Sequence, residues 1–224
     1  MATLSPRYGF TLPDPADNVS VTLLNNDFLA VDAALGSTPC TAGTLPSTPV
    51  NGQLAYLTDT HDLYVWDTTG AVGVWYPLTP VTVRLGTNQT AVSNTTPTPV
   101  TDLTITLQAS SSYTVEGYID YSSDTAADAV LGLSLPSGAT IRWSRGGPGA
   151  AAAATAGVVE TAVATSASLT LGGAGVGVAV AAHIRGVLTT GVSVGNVAAT
   201  WCQSVSTASN TVLYAGSWLR IQRI

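Results

Sequence analysis

The residues of this chain that could do chemistry are few and scattered. The chain has two histidines, His61 and His183, and a Ser-His-Asp site would need one of them. His61 precedes Asp62 in a predicted turn, where sequence neighbours cannot form a triad, and no G-x-S-x-G motif is present. His183 lies beside Arg185 in a predicted strand. The sequence therefore predicts no nucleophilic catalytic site.

The acidic residues offer no better candidate for catalysis. Glu116 and Asp120 lie on one face of a predicted strand, about 13 Å apart by the rise of a strand, which exceeds the separation of a glycosidase pair. Asp59, Asp62 and Asp67 lack the alternate spacing and the closing Glu of a calcium-binding loop. We therefore assign Glu116 and Asp120 to a solvated strand face and the three aspartates to turns.

Cysteine and glycine spacing excludes two further kinds of site. Cys40 and Cys202 are far apart in sequence and match no metal-binding spacing, although the sequence leaves open whether either forms a disulfide. The glycines of residues 172–177 do not match the dinucleotide-binding motif, and no helix follows them. The sequence thus predicts no catalytic, cofactor-binding or metal-ligating residue, and we expect no enzymatic activity.

Composition narrows the class of protein. The chain has 224 residues, of which 46% are apolar and only 9% are charged, and its seven basic residues are all arginine. The net charge is −6 with no basic cluster, which argues against nucleic-acid binding. No secretory signal and no membrane-spanning run is present, so we expect no membrane insertion. A surface this poor in charge suits a protein packed beside many copies of itself.

The pattern of turns and alternating residues predicts a mainly β protein in three parts. Residues 1–46 form a proline-rich N-terminal anchoring arm with a short helix over Asn26–Leu35, and residues 37–50 link this helix to the second part. Residues 47–80 form a small β-meander module. Residues 81–224 form a C-terminal antiparallel β-sandwich, which we expect to be jelly-roll-like.

Period-two alternation locates the strands of the sandwich. The predicted strands are Leu103–Leu107, Tyr113–Tyr121, Ala129–Leu135, Ala139–Ser144, Ser168–Leu171, Gly177–Leu188, Val192–Gln203, Thr211–Ala215 and Trp218–Ile224. Residues 146–157 form either a helix or a mobile loop. The apolar terminal strand indicates a chain end held in a sheet or against a symmetry mate.

Aromatic residues are concentrated in the meander. Tyr64, Trp66, Trp75 and Tyr76 either stack on sugar rings or a partner surface, or fill the small core of the module. We favour core filling, and we expect host contacts in the loops of residues 81–224 instead.

Three segments of the chain resemble bacteriophage proteins. Residues 49–78, with L-Y-V-W-D and W-Y-P-L, resemble short β modules of phage tail fibres and other appendages. Residues 201–224, from W-C-Q-S-V-S to W-L-R-I-Q-R-I, are similar to the closing strands of virion fibre proteins of phages that infect actinobacteria, which are high-GC hosts. The opening R-Y-G-F-T-L-P-D-P-A-D is similar to virion-anchoring ends of minor tail proteins.

The resemblance implies a phage virion structural protein, assembled in the host cytoplasm. It implies a homotrimer attached to other virion proteins through residues 1–35, with a distal β domain for attachment to the host surface, where a glycan is a candidate partner. Trimerisation would also stabilise an arm, a short helix and a meander that are each too small to be stable alone. A trimeric fibre or tail-tip appendage is the leading hypothesis. The alternatives are a capsid decoration protein or head fibre, and a carbohydrate-binding or depolymerase module.

Overall fold

The computed structural model is mainly β and divides into two compact units, Met1–Thr79 and Pro80–Ile224. It describes residues 3–4, 11–12, 37–68, 73–150, 161–163 and 168–224. No α-helix occurs among these residues. The predicted helix over Asn26–Leu35 and most of the predicted arm lie outside them, and the finer division of the first unit at residues 46 and 47 stays a prediction.

The first unit contains a strand pair and a four-stranded sheet. Its strands are β1 (Thr3–Leu4), β2 (Thr11–Leu12), β3 (Thr38–Cys40), β4 (Leu54–Leu57), β5 (Leu63–Asp67) and β6 (Val74–Pro77). Strands β1 and β2 pair with each other, and the sheet has the order β3-β4-β5-β6. Strands β4 to β6 are the predicted meander, which the structure confirms.

The prediction that residues 37–50 form only a linker is wrong. Strand β3 lies in this segment and runs parallel to β4, and a single 3-10 turn follows at Ala42–Thr44. The carbonyl of Cys40 accepts hydrogen bonds from the backbone N–H and the hydroxyl of Thr58, at 2.8 and 3.0 Å. Three residues centred on a proline are too short to show alternation, and Pro39 suits an edge strand because it has no N–H to donate.

The second unit is a two-sheet sandwich of twelve strands within the described residues. They are β7 (Val81–Arg84), β8 (Gln89–Ala91), β9 (Thr98–Leu107), β10 (Ser112–Ser122), β11 (Ala129–Ser134), β12 (Thr140–Gly146), β13 (Thr161–Val163), β14 (Leu169–Leu171), β15 (Val180–Thr189), β16 (Gly195–Gln203), β17 (Thr211–Leu213) and β18 (Trp218–Arg223). The large sheet has the order β13-β12-β15-β10-β17-β8, with β18 between β10 and β7, and the small sheet has the order β14-β11-β16-β9.

The connections of the sandwich follow the jelly-roll pattern. Strands β9, β10, β11 and β12 alternate between the two sheets instead of forming hairpins within one sheet. The inner residues of both sheets form one core, in which Ile105, Ile119, Leu133 and Ile184 are almost fully buried. The predicted antiparallel sandwich is confirmed, and its strand order is now defined.

The terminal strand lies inside the large sheet, which is the first of the two alternatives predicted from the sequence. Strand β18 pairs with β10 from Tyr113 to Tyr118 on one side and with β7 on the other. Its inner residues Leu219 and Ile221 are buried in the core. The last strand is therefore a central element of the large sheet.

Several strand boundaries differ from the prediction for local reasons. Strand β15 begins at Val180 and not at Gly177, because Gly177 has a φ of +75° and closes a turn. Similarly, β16 begins at Gly195, since a bend occupies residues 192–193. In residues 146–157, β12 extends to Gly146, and residues 151–160 lie outside the described part of the chain.

Candidate functional site

The outward residues of the large sheet form a surface rich in arginine and aromatic side chains. On β10, Val115 and Ile119 face the core, so the alternating residues between them face outward. The same alternation on β7, β12, β15 and β18 defines a surface that we call the outer face. Its members are Arg84, Thr114, Glu116, Tyr118, Asp120, Arg142, His183, Arg185, Val187, Trp218, Arg220 and Gln222.

One row of the outer face alternates in charge across three strands. Arg185 of β15 lies opposite Glu116 of β10, which lies opposite Arg220 of β18. Arg220 Nε is 4.0 Å from Glu116 Oε2, and the two side chains are 43% and 51% exposed. An ion pair this open contributes only about 0–1 kcal/mol to stability. The charges of this row are therefore available to a partner and are not needed for the fold.

The adjacent row is aromatic. His183, Tyr118 and Trp218 lie opposite one another on β15, β10 and β18, and Arg84 of β7 completes the row. The rings of Tyr118 and His183 meet edge to face with centroids 5.4 Å apart. Tyr118 and Trp218 are only half-buried within this chain. Large aromatic side chains left partly open beside arginine are typical of interface anchors.

The distribution of charge sets the outer face apart from the rest of the chain. Residues 1–79 carry seven aspartates and one arginine, whereas residues 80–224 carry six acidic residues and six arginines, so the net charge of −6 belongs to the first unit. The outer face holds four of those six arginines, Arg84, Arg142, Arg185 and Arg220, against the carboxylates of Glu116 and Asp120. It is a locally positive surface on an acidic chain.

Three other candidates named from the sequence lie in the first unit and belong to its local structure. His61 Nδ1 lies 2.9 Å from the hydroxyl of Tyr56 in the first unit. Asp59 accepts a hydrogen bond from the backbone N–H of Ala42, and Asp62 accepts one from the hydroxyl of Thr79. These aspartates thus hold turns and strand ends together. No group of three or more metal-ligating side chains occurs among the described residues.

The aromatic side chains of the meander pack on each other. The rings of Trp66 and Trp75 lie with centroids 5.6 Å apart, and the Trp75 indole N–H donates to the carbonyl of Pro46 at 3.3 Å. A Cβ at Gly73 would lie 2.2 Å from the Trp66 ring, so the indole fits against bare backbone there. Trp66 and Trp75 fill space within the module, which agrees with the core-filling interpretation.

Two side chains with a shifted pKa, Tyr121 and Arg145, lie on the core side of the large sheet and not on the outer face. Tyr121 is buried and donates a hydrogen bond from its hydroxyl to the carbonyl of Gly172 at 2.8 Å, and burial raises the pKa of its phenol. Burial also disfavours the charged form of Arg145, which lowers the pKa of its guanidinium, while the charge of the nearby Tyr121 phenolate acts in the opposite direction. Their environments indicate packing roles.

The sequence did not identify the outer face as a unit. Arg142 and Arg220 each occupy a polar position of an alternating strand, and Trp218 alternates with the apolar residues Leu219 and Ile221, so the face of each strand could be read from the sequence. Which strands lie side by side was not visible, because β10 pairs with β15 and β18, some 60 to 110 residues away along the chain.

Comparisons with known proteins give no assignment of family. No protein-family model matches the chain, and no curated protein matches it.

No helix of the described residues has the length and apolarity needed to cross a bilayer.

Among solved structures, the chain is similar to the tripod (BppUct-A-L) from the baseplate of bacteriophage Tuc2009, at 9% identity and a TM-score of 0.29 over all of both chains. It is also similar to a chain of infectious bursal disease virus, Gx strain, at 12% identity and a TM-score of 0.22, covering 71% of this chain and 45% of that one. A subviral particle of the VP2 protein of the same virus matches at 10% identity, a TM-score of 0.17 and 80% and 50% coverage. The chain spans about half the length of these two viral chains. Likenesses at these TM-scores carry no argument about fold or function.

Proposed function

We propose that the protein is a structural component of a phage virion, a homotrimeric fibre or tail-tip appendage. Residues 1–35 attach it to other virion proteins, and the sandwich of residues 80–224 projects outward and contacts the host surface. The resemblance of residues 49–78 and 201–224 to phage appendage proteins supports the class of protein. The outer face supports the assembly.

The outer face has the composition of a protein interface. Interfaces are enriched in Trp, Tyr and Arg and depleted of Lys, and this surface offers Trp218, Tyr118 and four arginines. The row of Arg185, Glu116 and Arg220 carries both signs of charge, so around a threefold axis the Arg185 side of one copy can pair with Glu116 of the next copy. We therefore assign the outer face to contacts between copies of the chain, arranged head to tail so that three copies close a ring.

No catalytic step is part of this proposal. The two histidines contact tyrosines, His61 with Tyr56 and His183 with Tyr118. Glu116 is near a guanidinium and not a second carboxylic acid. These contacts support structural roles for the groups that a hydrolase would need.

Locating the protein on intact particles tests the proposal. Gold-labelled antibody against residues 80–224 should decorate particles at defined positions, and the copy number should be a small multiple of three at the tail. Copies that follow capsid symmetry would support a capsid decoration protein or head fibre instead. Particles that carry none of the protein would overturn the structural role.

A depolymerase module is the competing class of function. It predicts release of soluble sugar when pure protein is incubated with host cell-wall polysaccharide. We expect no release above a heat-denatured control.

A further inference from the structure

A small polar depression lies beside β8, the edge strand of the large sheet, and core residues form part of its wall. It measures about 270 Å³ and lies where β8 of the large sheet approaches β9 and β16 of the small sheet. Gln89, Thr90, Val92, Asn94, Thr98 and Trp201 line it. Its volume is just below the roughly 300 Å³ at which pockets for drug-sized ligands begin. The depression therefore fits a small ligand, of about one ring.

The wall of the depression is held in place by a buried side chain. Gln203 is fully buried, and its backbone N–H donates to the carbonyl of Asn94 at 2.9 Å. Its side-chain oxygen accepts from the backbone N–H of Asn94 at 3.3 Å, while its amide nitrogen donates to the carbonyl of Ser209 at 2.7 Å. Asn94 is thus fixed before any ligand arrives, which lowers the entropy cost of binding.

An irregularity in the small sheet shapes the same place. Ala198 of β16 pairs with Thr104 of β9, yet Thr200 pairs with Pro99, so β9 bulges between these positions. Beyond the bulge, Trp201 pairs with Thr98. Bulges re-aim side chains and are frequent beside binding sites. Trp201 packs in the core but is still 8% exposed, and part of its side chain lines the depression.

The lining offers hydrogen bonds of both kinds and no charge. Asn94 Oδ1 accepts from the backbone N–H of Thr96, which leaves the Asn94 NH₂ group as a donor toward a ligand. The Thr98 hydroxyl donates to the carbonyl of Thr96 at 3.1 Å, so its oxygen can still accept. Gln89 adds an amide that can both donate and accept a hydrogen bond, and Trp201 adds an apolar aromatic surface.

We propose that this depression binds one neutral sugar ring. A sugar combines hydroxyl groups, which match the amides and the threonine hydroxyls, with apolar C–H groups, which match the exposed part of the Trp201 side chain. Among the described residues no charged side chain lines the depression, which disfavours uronic acids and phosphorylated sugars. The inference rests on the proposed function, since binding a sugar would serve attachment to the host surface. The site itself is separate from the outer face.

Ligand-observed NMR on the full-length protein tests this inference. The probes are glucose, galactose, mannose, rhamnose and N-acetylglucosamine, with galacturonate as the charged comparison. At least one neutral probe should show saturable binding with a Kd in the millimolar range expected for a ligand of about a dozen non-hydrogen atoms, and galacturonate should bind more weakly. No saturable binding by any neutral probe would overturn the proposal.

Two variants and one control tie binding to the depression. Gln89→Ala and Thr98→Val each remove hydrogen-bonding groups from exposed or half-buried positions, and each should weaken binding about fivefold. Thr106→Val changes an exposed threonine on the same strand, beyond the bulge from the depression, and should bind like wild type. Equal affinity in all three variants would place the sugar elsewhere and overturn the site. Sugar binding is measured on pure protein and the virion location on labelled particles. A loss of sugar binding would therefore overturn this site without overturning the proposed function.

Discussion

Replacing Leu219 tests whether the last strand is a central part of the sandwich. Leu219 is fully buried in the core, and β18 pairs with a strand on each side. Leu219→Ala removes three carbon atoms, which costs roughly 2.4 kcal/mol at about 0.8 kcal/mol per carbon. The cavity left behind adds to this cost, so we expect a loss of about 3–4 kcal/mol in the free energy of unfolding.

Urea and thermal unfolding measure this loss. For a unit of this size, about 3 kcal/mol corresponds to a fall in Tm of roughly 10 °C. Val192→Ala is the control, because Val192 is 90% exposed in a loop and its replacement should change stability by no more than about 0.5 kcal/mol. Protein concentration is held constant, since assembly couples to stability. If the two variants are equally stable, the assignment of β18 to the core is refuted.

Two further predictions concern single polar groups. Hydrogen bonds from the Ala126 backbone and the Ser209 hydroxyl hold the pKa of Asp124 below its usual value. A lowered pKa gives stability that is present above the usual carboxyl pKa and is lost as the pH falls through the lower pKa of the folded state, so Asp124→Asn should flatten the fall in stability as the pH drops below about 4. Superimposable pH profiles would contradict this. Cys40 is half-buried and Cys202 is buried, where burial raises the pKa of its thiol. One thiol should react with a disulfide reagent in native protein and the second only after denaturation, and equal rates would contradict the assigned burial.

The sequence was sufficient to predict a strand and its buried face where apolar and polar residues alternate over many positions. The run Tyr113–Tyr121 alternates over nine residues, and β10 forms there with the expected face buried. By contrast, β7 and β8 were not predicted, since four and three residues give too short a pattern. Their place is set by pairing with β18 and β17, 120 or more residues later in the chain, which the local sequence pattern does not encode.

The candidate sites depend on the same distant pairings. Glu116 was assigned to a solvated face, and it does lie on an exposed face, but its neighbours Arg185 and Arg220 come from strands far along the chain. The depression likewise joins Gln89 to Trp201. The sequence shows Trp201 only as an apolar residue of a predicted strand. Its partial exposure in the depression depends on how the two sheets pack.

The mass of the protein in solution tests the assembly most directly. By light scattering, the wild-type protein should have three times the 22.7 kDa mass of one chain. Trp218→Arg adds a charge to the aromatic row of the outer face and should lower the mass toward that of one chain. Val192→Arg adds the same charge at a loop position that is 90% exposed and should leave the trimer intact. A monomeric wild type, or a Trp218→Arg variant that stays trimeric, would contradict the account.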